Sequence, residues 1–453
     1  MWARQPMSGW GRYPVVESLC TRPERRGEAI AALKDRDGEP VLGYGLGRSY
    51  GDAALVTGGR LVLTTRLDCM LDFDPVTGWL RCEAGVSVEE IINTFLPRGF
   101  FPPVVPGTQF VTVGGALASD IHGKNHHVDG AWSDHVRNVE LLLGTGEIVV
   151  CDAEQNAELF WATAGGQGLT GLILAMDLRL VPVLSPNIEM ESIRVNNLDE
   201  FFAVSADSAD FSHTVSWLDT TRRGDAMGRG IFMRGRHAGQ GSEAGANPLG
   251  ALADLLEPVA DIGFLDSDLL LNRVTMGLFN EAFFRKTPAG VSKATVGYKP
   301  FFFPLDVARN WNYVYGPRGF LQYQFVVPKD RDHHAVRAIL DLFVSRGFVS
   351  FLSVIKEFAE RQHPWLSFPR PGVTVAMDIP FGGQALLDTM DEADAIVAEV
   401  GGRIYLGKDA RLSRAMFRRM YPDWEAWKAV RDAADPEGVF QSDLGRRLGL
   451  CGG

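Results

Sequence analysis

Apolar and polar positions alternate in short bursts along the first 180 residues. LVLT (61–64), MLDFD (70–74) and WLRCEAG (79–85) read as successive strands, with Pro75-Val76-Thr77-Gly78 as a turn between the last two. The period then changes. Ser87-Val88-Glu89-Glu90 has the S-x-x-E form of a capping box, and IINTFL continues it as a helix. VELLLGTGEIVVCD (139–152) predicts a hairpin about Thr145-Gly146, AELFWAT (157–163) a helix, and GLILAMDLRLVPV (171–183) a further strand. Pro182 and Pro186 mark a boundary, beyond which 213–236 and 295–330 are again β-rich. HAGQGSEAGANP (237–248) reads as an exposed loop. Short strands with interposed helices predict an α+β fold rather than a doubly wound sheet.

One stretch breaks the pattern. Residues 255–286 are strongly apolar without a clean helical stripe. They read either as a buried helix pair or as an apolar flap that meets a lipid surface.

Length and charge narrow the function. At 453 residues the chain exceeds one ordinary core, so two domains are expected. Hydrophobic residues at 46% and charged residues at 22% fit a globular protein. A formal charge of −11 argues against general affinity for nucleic acid, which needs a basic field. No stretch approaches the roughly 18–20 apolar residues of a membrane-spanning helix. The N-terminus, MWARQPMSGWGRYPVVESLC, lacks a secretion signal's apolar core and cleavage site. The expected location is cytoplasmic or peripheral at the inner membrane. Cys20, Cys69, Cys82, Cys151 and Cys451 form no Cys-x-x-Cys pair, so neither a disulfide framework nor a zinc site is expected.

Three glycine-rich loops carry the candidate chemistry. In GYGLGRSYGDAAL (43–55), Gly43, Gly45, Gly47 and Gly51 let the backbone turn sharply and aim N–H groups at an anion. The loop matches neither G-x-G-x-x-G nor a P-loop. In VVPGTQFVTVGGALASDIHGKN (104–125), Gly114-Gly115-Ala116 opens a helix whose amide end would face phosphate. The third loop is WATAGGQGLTGLI (161–173). Together they suit a long dinucleotide threaded between two small subdomains. ALASDIHGKNHHVDGAW (116–132) gathers His122, His126 and His127, which also raises a metal-binding or scaffold reading. Gly123 interrupts any helix that would set those histidines on one face, which counts against it.

GLGRSYGD, PGTQFVTVGGALASDIHGKNHH and ELFWATAGGQGLTG resemble the FAD-binding half of the vanillyl-alcohol-oxidase/para-cresol-methylhydroxylase superfamily. Within it, the chain is similar to the decaprenylphosphoryl-β-D-ribose 2′-oxidase family. SWLD (216–219), YGPRGFLQYQFVVP (315–328), IKEF (355–358), LSFPRPG (366–372), GGRIYLGKDAR (401–411) and FQSDLGRRL (440–448) carry that likeness.

The resemblance implies a two-subdomain FAD-binding domain from residues 1–185, completed by 403–453, around a substrate domain at 186–402 built on an antiparallel sheet. Gly43, Tyr44, Gly45, Leu46, Gly47, Arg48, Ser49, Tyr50, Gly51, Asp52 and Ala53 would line FAD in the first loop. Gly107, Thr112, Val113, Gly114, Gly115, Ser119, Asp120, Ile121, His122, Ile173 and Tyr405 would complete its site. Many superfamily members carry a flavin-linked histidine where this chain has Arg48, so non-covalent FAD is implied.

Lys408 matches the family's active-site lysine, as a base or as a cation that stabilises developing charge. His122 is a second acid/base or orienting group. Tyr50, Lys124, Trp217, Gln322, Gln324, Lys356 and Lys408 match the substrate pocket, with Gln322 and Gln324 on one face of a strand. Arginines across 220–237 read as a solvated strand face, or as a basic lip for a phosphodiester. Two positions depart from the family: Ala376 and Ser119 each stand where relatives carry cysteine.

The implied reaction is FAD-dependent oxidation of the 2′-hydroxyl of polyprenylphosphoryl-β-D-ribofuranose to the 2′-keto sugar. A short-chain reductase partner would then complete epimerisation to the arabinofuranose donor, with peripheral membrane contact. The alternative is an FAD-dependent alditol or sugar-lactone oxidase.

Overall fold

The computed structural model describes residues 2–245, 271–350 and 352–452. The first sheet joins β1 (Ala3–Ser8), β2 (Val15–Thr21), β3 (Val41–Tyr44) and β4 (Arg60–Leu63) in the order β1-β2-β4-β3. β4 runs parallel to both neighbours and is buried along its whole length, as expected of a central parallel strand. α1 (Arg26–Lys34) makes the crossover between β2 and β3 and buries Ala29, Ala32 and Leu33.

The second sheet holds β5 (Met70–Phe73), β6 (Trp79–Glu83), β8 (Val136–Leu142), β9 (Ile148–Cys151) and β10 (Leu172–Arg179). Its order is β5-β6-β10-β8-β9, antiparallel throughout. β7 (Phe100–Phe101) and β11 (Val181–Pro182) pair beside it. The hairpin between β8 and β9 turns at Gly146, whose φ of 86° needs glycine. The capping box forms: Ser87 Oγ accepts from Glu90 N at 3.1 Å, and Glu90 accepts from Ser87 N at 2.8 Å. It starts α2 (Val88–Phe95), whose Val88, Ile91, Ile92 and Phe95 fill one buried face. Short helices α3 (Val113–Ala118), α4 (His126–Asp129) and α5 (Ala157–Thr163) follow. The histidine loop therefore starts in the last residues of α3 and, past Gly123, contains the single turn of α4.

The third sheet is antiparallel: β12 (Asn187–Val195), β13 (His213–Leu218), β14 (Gly230–His237), β15 (Val291–Gly297), β16 (Phe320–Val327), β17 (Ser353–Phe358), β18 (Gly372–Pro380) and β19 (Arg403–Ile404). Their order is β15-β12-β14-β13-β17-β18-β16-β19. The pleat gives its two faces different work. Tyr323, Phe325, Ile355, Val375 and Met377 pack into a core with Ile339, Leu340, Leu386 and Met390 of helices His334–Ser345 and Gln384–Glu399. The residues between them face a cavity.

One sequence expectation is sharpened, and another falls partly outside the described residues. Residues 295–330 are not continuously β. β15 ends at Gly297 and β16 begins at Phe320, with the helical turns Tyr298–Phe302 and Trp311–Tyr315 between them. Phe301, Phe302 and Phe303 are buried in succession, which a strand with one buried face does not allow. The apolar stretch 255–286 is described only from 271 onward. There Asn272 caps one helix, Arg273–Lys286, that buries Met276, Asn280 and Phe284 at helical spacing and exposes Val274 and Leu278. In the loop expected at 237–248, residues 239–245 are irregular, and 246–248 lie outside the described residues. No helix among the described residues is long and apolar enough to cross a membrane.

The last segment returns to the first. Trp427 Nε1 donates to Ala162 O at 2.8 Å, and Phe440 bridges Val41 in parallel. Arg447 grips Asp52 at 2.7 and 2.9 Å.

Candidate active site

A cavity of about 640 Å³ lies between the first glycine loop, residues 105–124, residues 300–311 and the free face of the third sheet. Strand register builds that face. Trp217 sits opposite Val354, Val354 opposite Ala376, and Ala376 opposite Gln324, so one row crosses four strands. Lys356 lies opposite Thr374 in the next row. All six of these residues line the cavity.

The first glycine loop presents its amides. Among the described residues no protein acceptor meets the N–H groups of Leu46, Gly47, Arg48 and Ser49. Gly47 takes φ 65°, and a Cβ there would strike Tyr44 Oη. Arg48 Nε donates to Phe110 O at 3.1 Å while its guanidinium lies 3.9 Å over Trp10. The second loop behaves differently. Val113 N donates to Val86 O at 2.8 Å, Gly114 N to Ala84 O at 2.9 Å, and Gly115 N to Thr112 Oγ1 at 3.2 Å. The expectation that the amide end of α3 faces phosphate is therefore corrected: protein acceptors already use those donors. Across the cavity, a Cβ on Gly107 would meet only open space.

Three lysines enter the same space. Lys124 Nζ donates to Phe301 O, and Lys356 Nζ donates to Gly123 O at 3.1 Å. Burial pushes the Lys124 ammonium down to about 7, and burial, then Lys124 and Lys408, push that of Lys356 to about 7. Lys408 Nζ stands 3.8 Å over the Tyr50 ring. Burial lowers its proton affinity, and the Asp378 carboxylate raises it. His122 packs against Phe358, Phe368 and Tyr405, and its Nε2 lies 3.1 Å from Gln324 Nε2. An amide nitrogen can only donate, so Nε2 accepts and the ring proton is on Nδ1. Nδ1 is buried without a hydrogen-bond partner. Burial first, then Lys356, His126 and Lys408, hold this imidazole well below its usual range, so it is neutral.

A turn of free amides and a glycine-lined floor fit a pyrophosphate, and the neighbouring aromatic wall fits flat rings. Residues 19–152 match the FAD binding domain family, and residues 308–448 match the D-arabinono-1,4-lactone oxidase family. The chain is 38% identical to decaprenylphosphoryl-β-D-ribose oxidase of Mycolicibacterium smegmatis, over 98% of this chain and 97% of that protein. The chain belongs to the decaprenylphosphoryl-β-D-ribose oxidase family. It is an FAD-dependent oxidoreductase. L-gulono-1,4-lactone dehydrogenase of Mycobacterium tuberculosis is 23% identical over 97% of this chain and 98% of its own. L-gulonolactone oxidase of Bos taurus is 23% identical over 97% and 95%.

For this member of the family, the cavity wall includes Gly43, Gly45, Leu46, Gly47, Arg48, Ser49, Tyr50 and Ala53 from the first loop. Gly107, Thr112, Gly115, Ser119, Ile121, His122 and Lys124 join from the second. Trp217, Gln322, Gln324 and Lys356 come from the sheet, and Tyr405 and Lys408 from the C-terminal segment. Tyr405 Oη donates to Ser119 O at 2.8 Å and ties the two ends together.

Seven expected cofactor contacts stand behind that wall. Tyr44 Oη donates to Ser8 O, and Asp52 is held by Arg447. A Cβ on Gly51 would strike the backbone of Asp409, and one on Gly114 would strike Ala84. Val113 is fully buried, and Ile173 belongs to the core of the second sheet. Asp120, at φ 40°, accepts from Ser133 N and Ser367 Oγ and braces the histidine loop. These residues shape the site without lining it.

The three histidines have separate partners. His126 Nδ1 accepts from Ala359 N at 3.3 Å, while His127 Nε2 donates to Phe211 O at 2.8 Å. Among the described residues, four of the arginines of 220–237 are paired with carboxylates. Arg222 and Arg229 pair with Glu281, Arg223 with Asp341, and Arg234 with Glu191, while Arg236 lies over Phe211.

Asp378 escaped the sequence reading. It follows Thr374 and Ala376 at strand spacing in VTVAMDIP, so the period-two signal was available.

Proposed function

We propose that the protein oxidises the 2′-hydroxyl of a polyprenylphosphoryl-β-D-ribofuranose to the 2′-ketone, using FAD held without a covalent bond. The observation that carries this reading is the meeting of Lys124, Lys356 and Lys408 with Gln322, Gln324 and His122 in one cavity. Near-full-length similarity to a decaprenylphosphoryl-β-D-ribose oxidase supports the substrate class. The flavin half comprises residues 1–185 and 403–453, and the substrate half 186–402.

FAD, when bound, supplies a hydride acceptor for the carbon that bears the hydroxyl. Leu46 to Ser49 would hold its pyrophosphate through their N–H groups, and Arg48 stands where related proteins carry the flavin-linked histidine. The hydroxyl proton needs a neutral acceptor, and His122 Nε2 is that lone pair once substrate displaces the Gln324 amide. Lys408 is the cation that stabilises charge developing on the hydroxyl oxygen. Trp217 and Tyr50 flank the sugar, while Lys124 and Lys356 orient its oxygens and phosphate. A short-chain reductase consumes the ketone, and the lipid tail brings the enzyme to a membrane surface.

The deciding experiment mixes the yellow, FAD-loaded protein anaerobically with the lipid-linked ribose. Bleaching by that lipid, and not by free sugars, is expected. A protein bleached by dithionite but not by the lipid sinks the substrate assignment. A second reading, a sugar-lactone oxidase, is favoured by the match of residues 308–448. Faster bleaching by a free aldonolactone would establish it. Acid precipitation should release all the flavin.

A further inference from the structure

We infer that the cavity continues into a seat for the first isoprene units of the substrate's lipid, walled by β13, β14 and the helix Arg273–Lys286. This rests on the reading of the substrate as a polyprenyl phosphate sugar. Along the row that crosses the sheet, polarity falls from Gln324 on β16 through Ala376 and Val354 to Trp217 on β13. One strand further, Met233 of β14 lies opposite Val215. Val215, Trp217, Met233, Leu352 and Val354 line this end of the cavity, and Phe283 reaches it from the helix. Lys124 marks the border. Its backbone carbonyl accepts from Thr214 N at 2.8 Å, beside Val215, and its ammonium lies 4.9 Å over the Phe301 ring. A sugar joined through a phosphodiester to a hydrocarbon has the same order: hydroxyls, then an anion, then an apolar chain.

The apolar surface then leaves the cavity along the helix. Phe283 packs edge-on against Trp217, with ring centroids 4.9 Å apart, and stacks on Phe279 at 6.0 Å. Ala282 and Leu278 carry that side of the helix outward, and Leu278 is 68% exposed. Glu281 lies on the other flank, tied to Arg222 and Arg229, so its charge faces away from this path. Met233 and Phe283 are only half-buried although both line the cavity, which leaves thioether and aromatic surface for a ligand to cover. A cavity of about 640 Å³ that also admits a flavin ring has room for only the start of a long chain. The remainder leaves over Leu278.

The test measures binding without turnover. FAD-loaded protein is titrated by calorimetry with dimethylallyl, geranyl and farnesyl phosphates, which share one anion and differ in chain length. Affinity should rise by at least about tenfold from the shortest to the longest, with an increasingly negative heat-capacity change. Phe283→Ser should erase most of that rise and leave dimethylallyl phosphate within about twofold of wild type. Should Phe283→Ser fail to fold, Met233→Ser carries the same expectation from the strand side. A flat series in the wild type overturns the proposal, as does equal weakening at every chain length in a folded variant. If both variants keep the series and lose only cosedimentation with phosphatidylglycerol vesicles, the face is a bilayer contact and the proposal falls. A flavin that the lipid-linked ribose fails to bleach leaves the binding series readable, so the two readings fail separately.

Discussion

The arginines of residues 222–236 and the lysines of the cavity are both clusters of positive charge, and they end in opposite states. Arg222, Arg223, Arg229 and Arg234 each find a carboxylate at 3.1 Å or less. Lys124 and Lys356 reach only backbone carbonyls, and burial pushes both toward neutrality. A charge already paired within the fold has little left for a ligand. One that is buried and unpaired is a site waiting for an anion. The basic segment that stands out in the sequence is thus largely paired within the fold, and the scattered lysines are the ones that line the cavity.

Substitutions can break that contrast. Lys408→Met should cost roughly 10²–10³-fold in the rate of flavin reduction, as for loss of one electrostatic stabiliser, read by anaerobic stopped flow. Arg229→Met should cost about 3 kcal/mol of stability in urea melts, because it strips the buried Asp219 of its nearer cation and leaves Arg222 at 3.7 Å.

Lys356→Met should stabilise the fold. The folded lysine titrates near 7 and the unfolded one near 10.5. Between these values the unfolded chain binds the extra proton, so wild-type stability rises with pH. The gain from methionine is therefore largest at and below pH 7 and fades as pH approaches 10.5. A melting-temperature series across that range checks it, and a gain independent of pH would refute the burial account. Substrate KM should rise in the same variant. Arg223→Ala, which breaks an exposed and solvent-screened pair, should leave the melting temperature nearly unchanged. A large loss there would erase the distinction.

Local chemistry was legible in the sequence, and long-range partners were not. The capping box at Ser87 and Glu90 and the turn at Gly146 depend on residues within a few positions, and both form as read. The donors of α3 are taken by Ala84 and Val86, which no reading of Gly114-Gly115 alone could reveal. Glu281, Asp341 and Glu191 lie similarly far from the arginines they neutralise. Phe301 to Phe303 have strand-like composition, but burial of all three selects a helical turn. Asp378 shares a strand face with Ala376, but its partner Gln322 lies 56 residues away on another strand, which no local pattern shows.

The clasp between Arg447 and Asp52 joins residues 395 positions apart. At a synthesis rate of about 5–20 residues per second, the ribosome delivers Arg447 roughly 20–80 s after Asp52. Until residue 407 is made, the glycine loop has neither its Gly407 carbonyl contact nor its arginine anchor. The first glycine loop therefore gains its last braces from residues that the ribosome delivers hundreds of positions after it.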